Sequence, residues 1–335
     1  MEHLKKMLGF LREEMKNRDM DSILVADSSN LSYLTGMSDI SGMMVVDQDE
    51  WTLHVSKFYR YAFKDISNVQ VYSGKDEREE VVEGLEGDSF SDMEEIGGRE
   101  FEHNSVISDM RMKKKKFEIK RMKKACQKGD RVFSRAADRF EPGMSEMDVV
   151  GLVDSGFREE GVYSSFDTLA HRNTLEPHRP SSPDERIGKG NLVLVDMGCR
   201  VENYCSDMTR MVPNSLDGER RQLFEDLLEI QRKAVESVRA GKKVSDLVGE
   251  VREMVVKRDY DWDRHFLHSL GHGVGVDIHE KPFLSEDSDH ELEEGNVITI
   301  EPGLYVPEIG GARIEDQLVV KKDGCRVLTK SGRGM

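Results

Sequence analysis

Apolar residues recur along this chain with two periods, and the change from one to the other marks out its elements. Leu4, Met7, Leu8, Leu11 and Met15 form one helical stripe, which predicts a helix over residues 3–17. Residues 22–26 then read as a short strand, and Asn30 to Gly36 as a capped turn of helix closing on glycine. Residues 42–47 and 51–55 read as paired strands around the turn 47–50. A helix over 57–65 and a strand over 69–73 continue an α/β alternation. No cluster of His, Cys or carboxylates at ligand spacing falls here, so residues 1–110 are expected to form a non-catalytic α/β domain.

At Arg111–Lys116 the pattern breaks into a basic run, read as a solvated linker leading to a helix over 117–139. The domain boundary is placed here, and residues 111–335 form the second domain. Within it, residues 142–153 echo residues 240–251. At one constant offset Gly143 pairs with Gly241, Asp148 with Asp246, Val150 with Val248, Gly151 with Gly249 and Val153 with Val251. Each copy reads as a glycine ending one helix before the next begins, which suggests two similar halves about a local pseudo-twofold.

The unbroken apolar run Leu192-Val193-Leu194-Val195 reads as a strand buried on both faces, and it ends on a carboxylate, Asp196. Asp207 follows eleven residues later, with Gly198 between them as a place to bend. If the two arms pair, the acids can face each other. Two converging buried carboxylates are costly unless a cation sits between them. Further on, residues 265–279 hold four histidines (265, 268, 272 and 279), with Gly271, Gly273 and Gly275 around His272 so that backbone and metal can come close. The run Val297-Ile-Thr-Ile300 is again an apolar strand delivering a carboxylate, Glu301. Arg313 and Glu315 share one strand face, and Asp316 points to the other. Asp196, Asp207, His272, Glu301 and Glu315 are therefore the candidate metal ligands. Their formal charge of about −4 suits two divalent ions, and oxygen-rich ligation favours Mn²⁺, with Co²⁺ or Zn²⁺ as alternatives.

Composition narrows the functional classes. Acidic residues outnumber basic ones 65 to 49, a net charge of −16, which argues against nucleic-acid binding. No apolar run approaches the ~20 residues of a membrane span. The N-terminal stretch is charged throughout and is not read as a signal peptide. Four cysteines, at 126, 199, 205 and 325, show no metal or disulfide spacing, so a cytoplasmic location is expected.

The segments VDMGCRVENYCSDMTR, HSLGHGVGVDIHE, ITIEPGLY and GGARIED, in this order, resemble the pita-bread metallopeptidases: methionine aminopeptidase, aminopeptidase P, prolidase and creatinase. DSSNLSYLTGMSD resembles the opening domain of the Xaa-Pro branch. The resemblance implies an α/β N-terminal domain and an α+β pita-bread C-terminal domain with pseudo-twofold halves. It implies two metal ions, with Asp207 and Glu315 bridging, Asp196 completing one site, and His272 with Glu301 completing the other. Glu301 would also shuttle a proton. His279 would steady the tetrahedral intermediate, His268 and His178 would contact substrate, and Arg313 would support the ligands near Glu315. The implied substrate is a small peptide with proline second, and the implied assembly a homodimer in which one chain's N-terminal domain closes its partner's pocket. Two departures stand out. Pro177-His178-Arg179 replaces Pro-His-Gly, and Phe283 stands where prolidases carry an arginine that grips the dipeptide carboxylate. Longer substrates, or an arginine from elsewhere, are left open. The rival readings are a creatinase- or lyase-like enzyme on the same scaffold and a non-enzymatic binding module.

Overall fold

The computed structural model describes residues 2–72, 90–96, 99–212, 215–216, 218–307 and 309–333. The chain divides into two compact units, Met1–Arg111 and Met112–Met335. The first begins with helix Glu2–Asn17, whose stripe Leu4, Met7, Leu8, Leu11 and Met15 is buried. Strands Ser22–Val25, Gly42–Asp47, Trp51–Ser56 and Val69–Tyr72 follow. They lie in a six-stranded mixed sheet completed by Phe90–Ser91 and Glu102–His103. Residue 73, the expected end of one strand, lies outside the described residues. Helix Ser28–Thr35 starts earlier than the sequence suggests because Asp27 caps it, accepting from the Asn30 amide. Gly36 closes it at φ +76°, a left-handed conformation that glycine adopts without strain.

The expected helix over 57–65 is absent. Only a single 3₁₀ turn forms, Lys57–Tyr59. Phe58 and Tyr61 are 86% and 82% exposed, and only Phe63 enters the core, so no apolar stripe holds a helix down.

The second unit contains two halves of like construction. In the first, helices Lys116–Ala137 and Glu146–Glu159 cover the antiparallel strands Leu169–Arg172, Val193–Met197 and Met208–Val212. In the second, helices Gly218–Ser237 and Val244–Val256 cover a five-stranded antiparallel sheet. Its strands, in order, are Glu280–Leu284, Gly271–Gly273, Val297–Ile300, Asp316–Lys321 and Gly324–Val327. The repeated glycines do not end the first helix of each pair. Gly143 and Gly241, at φ +99° and +82°, lie in the turns just before the second helices.

Strand Val193–Met197 joins the halves. Val193, Val195 and Met197 pack into the core beneath the first helix pair, and Leu192 and Leu194 into the core of the second. Burial on both faces explains the unbroken apolar run, and the alternation carries Asp196 on the same face as Leu194. The basic run is not wholly solvated. Lys114 is 5% exposed, and its Nζ pairs with Glu280 at 2.5 Å.

Candidate metal centre

The ladder between residues 193–197 and 208–212 sets Asp196 opposite Thr209. Asp207 precedes Thr209 by two positions, so the acids sit diagonally on one face rather than directly opposed. Gly198 lets the two arms come close: a Cβ there would lie 2.1 Å from the Ser206 carbonyl oxygen. The second half supplies the rest. His272 lies on strand Gly271–Gly273, Glu301 just after Val297–Ile300, and Glu315 just before Asp316–Lys321.

These elements bring Asp207, His272 and Glu315 together, with one donor atom of each within 4.8 Å of the others. His272 Nε2 lies 3.2 Å from Glu301 Oε1 and 3.6 Å from Asp207 Oδ2. The ring's Nδ1 donates to the Gly273 carbonyl at 3.0 Å, which turns Nε2 toward the carboxylates. The glycines beside His272 admit neighbouring backbone. A Cβ on Gly271 would meet the Thr299 carbonyl oxygen, and one on Gly273 that of Lys281, each at 2.2 Å.

Burial and crowding by like charges drive the Asp207 and Glu315 carboxyls well above their ordinary range. Burial also pushes Glu301 up, but the hydrogen bond and charge of His272 outweigh it and bring the group down to about 2. Burial would lower His272, yet Glu301 and Asp207 lift it to about 9. Asp196 Oδ2 accepts from Arg313 Nη2 at 2.5 Å, while its Oδ1 is buried without a hydrogen-bond partner. A cluster of buried carboxylates, one imidazole and an unpartnered carboxylate oxygen is a donor set that divalent cations fit.

Arg313 acts on more than Glu315. It binds Asp196 directly and reaches Glu315 through Thr209, whose Oγ1 accepts from Arg313 Nε at 3.1 Å and donates to Glu315 Oε2 at 2.9 Å. Three further histidines surround the cluster. The His279 ring meets that of His272 edge-on at 4.3 Å. His268 Nδ1 is 3.9 Å from Glu301, and its Nε2 is 3.1 Å from the Tyr305 hydroxyl. The His178 ring stands 6.3 Å from that of His268. Burial lowers the pKa of His268 and of His279 from the ordinary histidine value. His265 sits apart, at the end of the short helix Trp262–His265, where its Nδ1 accepts from the Asp261 amide.

Thr209, Thr299, Tyr305 and Gln317 escape the sequence reading. Thr299 Oγ1 accepts from the His272 amide and donates to Glu301. Tyr305 accepts from Arg313 Nη1. Gln317 Oε1 accepts from the Asp207 amide. The available signal is alternation: Thr209, Thr299 and Gln317 each stand two residues from a ligand. Asp316 turns the other way and pairs with Arg210 at 2.8 Å.

Among known proteins, the model of metallopeptidase family M24 matches residues 120–322, and that of the creatinase/prolidase N-terminal domain matches residues 8–125. The Xaa-Pro dipeptidase of Pyrococcus furiosus is 36% identical, with 99% of each chain covered. The prolidase of Pyrococcus horikoshii superposes with a TM-score of 0.86 at 32% identity, covering 99% of both chains. The X-Pro aminopeptidase of Thermotoga maritima gives 0.87 at 26% identity, covering 98% of each.

Proposed function

Because the chain belongs to metallopeptidase family M24, we propose that it cleaves the peptide bond before a proline in second position. The observation that carries this is the convergence of Asp207, His272 and Glu315, with Glu301 3.2 Å from the same imidazole. We assign Asp196, Asp207, His272, Glu301 and Glu315 as ligands of two divalent ions, Mn²⁺ ahead of Co²⁺ or Zn²⁺. When bound, such ions activate water as a nucleophile and polarise the scissile carbonyl.

The remaining chemistry belongs to the chain's own side chains. Glu301 is a carboxylate 3.2 Å from the His272 imidazole, so it can accept a proton and return it to the proline nitrogen. The His279 ring stands edge-on to that of His272, and an imidazole N–H there can donate to the carbonyl oxygen as charge develops on it. His268 and His178 form one wall of the substrate site, and Arg313 fixes Asp196. This ligand set separates the reading from a metal-free creatinase and from a binding module.

Phe283 favours longer peptides. It sits on the same ladder rung as His272 and is 48% exposed, and by the resemblance it stands where a dipeptidase carries its carboxylate-binding arginine, so a dipeptide would need an arginine from elsewhere. A cytoplasmic homodimer completes the proposal, and four free thiols fit a reducing compartment. Among the described residues no helix is long and apolar enough to cross a membrane. The test is hydrolysis of Xaa-Pro dipeptides against Xaa-Pro-Xaa tripeptides, with metal-stripped protein and with added Mn²⁺ or Co²⁺. Metal-dependent cleavage with tripeptides preferred supports the reading. No cleavage of either class refutes it, and cleavage of dipeptides alone refutes the role given to Phe283.

A further inference from the structure

The loop that carries His178 is fastened on both sides, and one fastening runs to a residue outside the site. Glu146 opens helix Glu146–Glu159, and its side chain is wholly buried. Its carboxylate accepts from Arg179 Nη1 at 2.8 Å and Nη2 at 2.5 Å, from the Arg172 amide at 2.9 Å and from the Ser182 amide at 3.0 Å. Both terminal nitrogens of Arg179 are used, a geometry that a guanidinium supplies and an ammonium does not. The Arg179 carbonyl oxygen lies 2.6 Å from Nε2 of the buried His171 ring. On the other side of His178, the Pro177 carbonyl accepts from Arg313 Nη1 at 3.3 Å. Beside the loop opens a cavity of about 810 Å³, lined by His178, Pro180 and Ser181 and, from the helix, by Met147, Val150 and Asp154.

We propose that Arg179, clamped by Glu146, is a positioning residue that holds His178 against the bound peptide. The clamp sets how tightly substrate is held rather than how fast the bond is cut. This rests on the peptidase reading with His178 in the substrate wall. The physical reason is ordering. A loop fixed before binding loses little conformational freedom on contact, whereas a loosened loop must be ordered by the substrate. Without the guanidinium, Glu146 keeps its two amide donors, and the helix keeps its cap from Ser145. The loop, in contrast, loses the tie next to His178.

The test uses Arg179→Ala, Arg179→Lys, His178→Ala and the Arg179→Ala/His178→Ala double variant of the full chain. Kinetics on an Xaa-Pro tripeptide with Mn²⁺, metal content and amide hydrogen exchange over residues 174–182 are measured. Arg179→Ala is expected to raise KM about tenfold with kcat within about threefold. Metal content should stay at the wild-type level, and exchange over 174–182 should accelerate. Arg179→Lys should recover part of the KM. The double variant should be no worse than His178→Ala, since the two residues act as one unit. Losses that multiply in the double variant, a kcat effect without a KM effect, or unchanged exchange would overturn the proposal. If the wild-type protein cuts no Xaa-Pro peptide, the peptidase reading fails by itself, and the exchange measurement still decides whether Arg179 holds the loop.

Discussion

Replacing Thr209 by valine keeps the shape of the side chain and removes one hydroxyl from the middle of the metal centre. Thr209 is fully buried, and its Oγ1 links Arg313 Nε at 3.1 Å to Glu315 Oε2 at 2.9 Å. Valine leaves the Arg313 Nε–H facing a methyl group and takes one donor from Glu315. An orphaned buried donor costs ~1–3 kcal/mol, so the second unit should lose about 2 kcal/mol. For a unit of this size the melting midpoint moves ~2–4 °C per kcal/mol, which gives a drop of roughly 4–8 °C without added metal. Glu315 would also be free to turn, and removing a hydrogen bond behind a ligand weakens metal binding by ~10–100-fold. Titration calorimetry of Mn²⁺ into metal-stripped protein measures this, alongside scanning calorimetry of the same samples. Thr209→Ser, which restores the hydroxyl, should recover most of the affinity. A valine variant that binds metal as tightly as wild type would refute the claim that Thr209 orients Glu315.

Burial pushes the Glu118 carboxyl up to about 7 from an ordinary 4.5, despite donors from the Lys115 amide and the Tyr204 hydroxyl. An acid raised in the folded state favours folding fully below its unfolded pKa, and that contribution is lost as pH rises through the folded value. Glu118→Gln should therefore gain up to ~3 kcal/mol over wild type at pH 8 and nothing near pH 4.5; equal differences in urea melts at both pH values would contradict this. Arg210 and Asp316 are paired at 0% and 1% side-chain exposure. Arg210→Met should cost about 2 kcal/mol in chemical denaturation, because Asp316 loses one of its two guanidinium partners and keeps Arg333 at 2.6 Å; a loss under about 0.5 kcal/mol would show the pair to be dispensable. Gly198→Ala puts a methyl 2.1 Å from the Ser206 carbonyl oxygen. The close approach of the two arms that carry Asp196 and Asp207 must then open, so purified variant protein should carry less metal than wild type. Equal metal content by elemental analysis would show that the metal centre tolerates the change.

Local patterns make the ligands readable. Asp196 and Glu301 each follow an apolar run, and a chain does not bring a carboxylate into its interior without a partner. What holds those ligands is hidden, because it depends on register between distant segments. Thr209 meets Glu315 and Arg313 meets Asp196 only once the two halves have packed, and no local period encodes that contact. Lys114 sits in a run that reads as solvated, since its buried partner, Glu280, lies 166 positions away. The stretch after Trp51–Ser56 misleads differently. Its aromatic residues suggest a packed helix, but with Phe63 alone in the core the segment stays a single turn followed by irregular chain.

Metal stoichiometry tests the central claim most directly. Wild-type protein dialysed against Mn²⁺ should hold close to two equivalents per chain by elemental analysis, in line with a two-metal site. Asp207→Asn and Glu315→Gln should each lose most of both ions while keeping the wild-type far-ultraviolet circular dichroism. Wild-type protein that binds no metal, or folded variants of Asp207 and Glu315 that retain both equivalents, would contradict it.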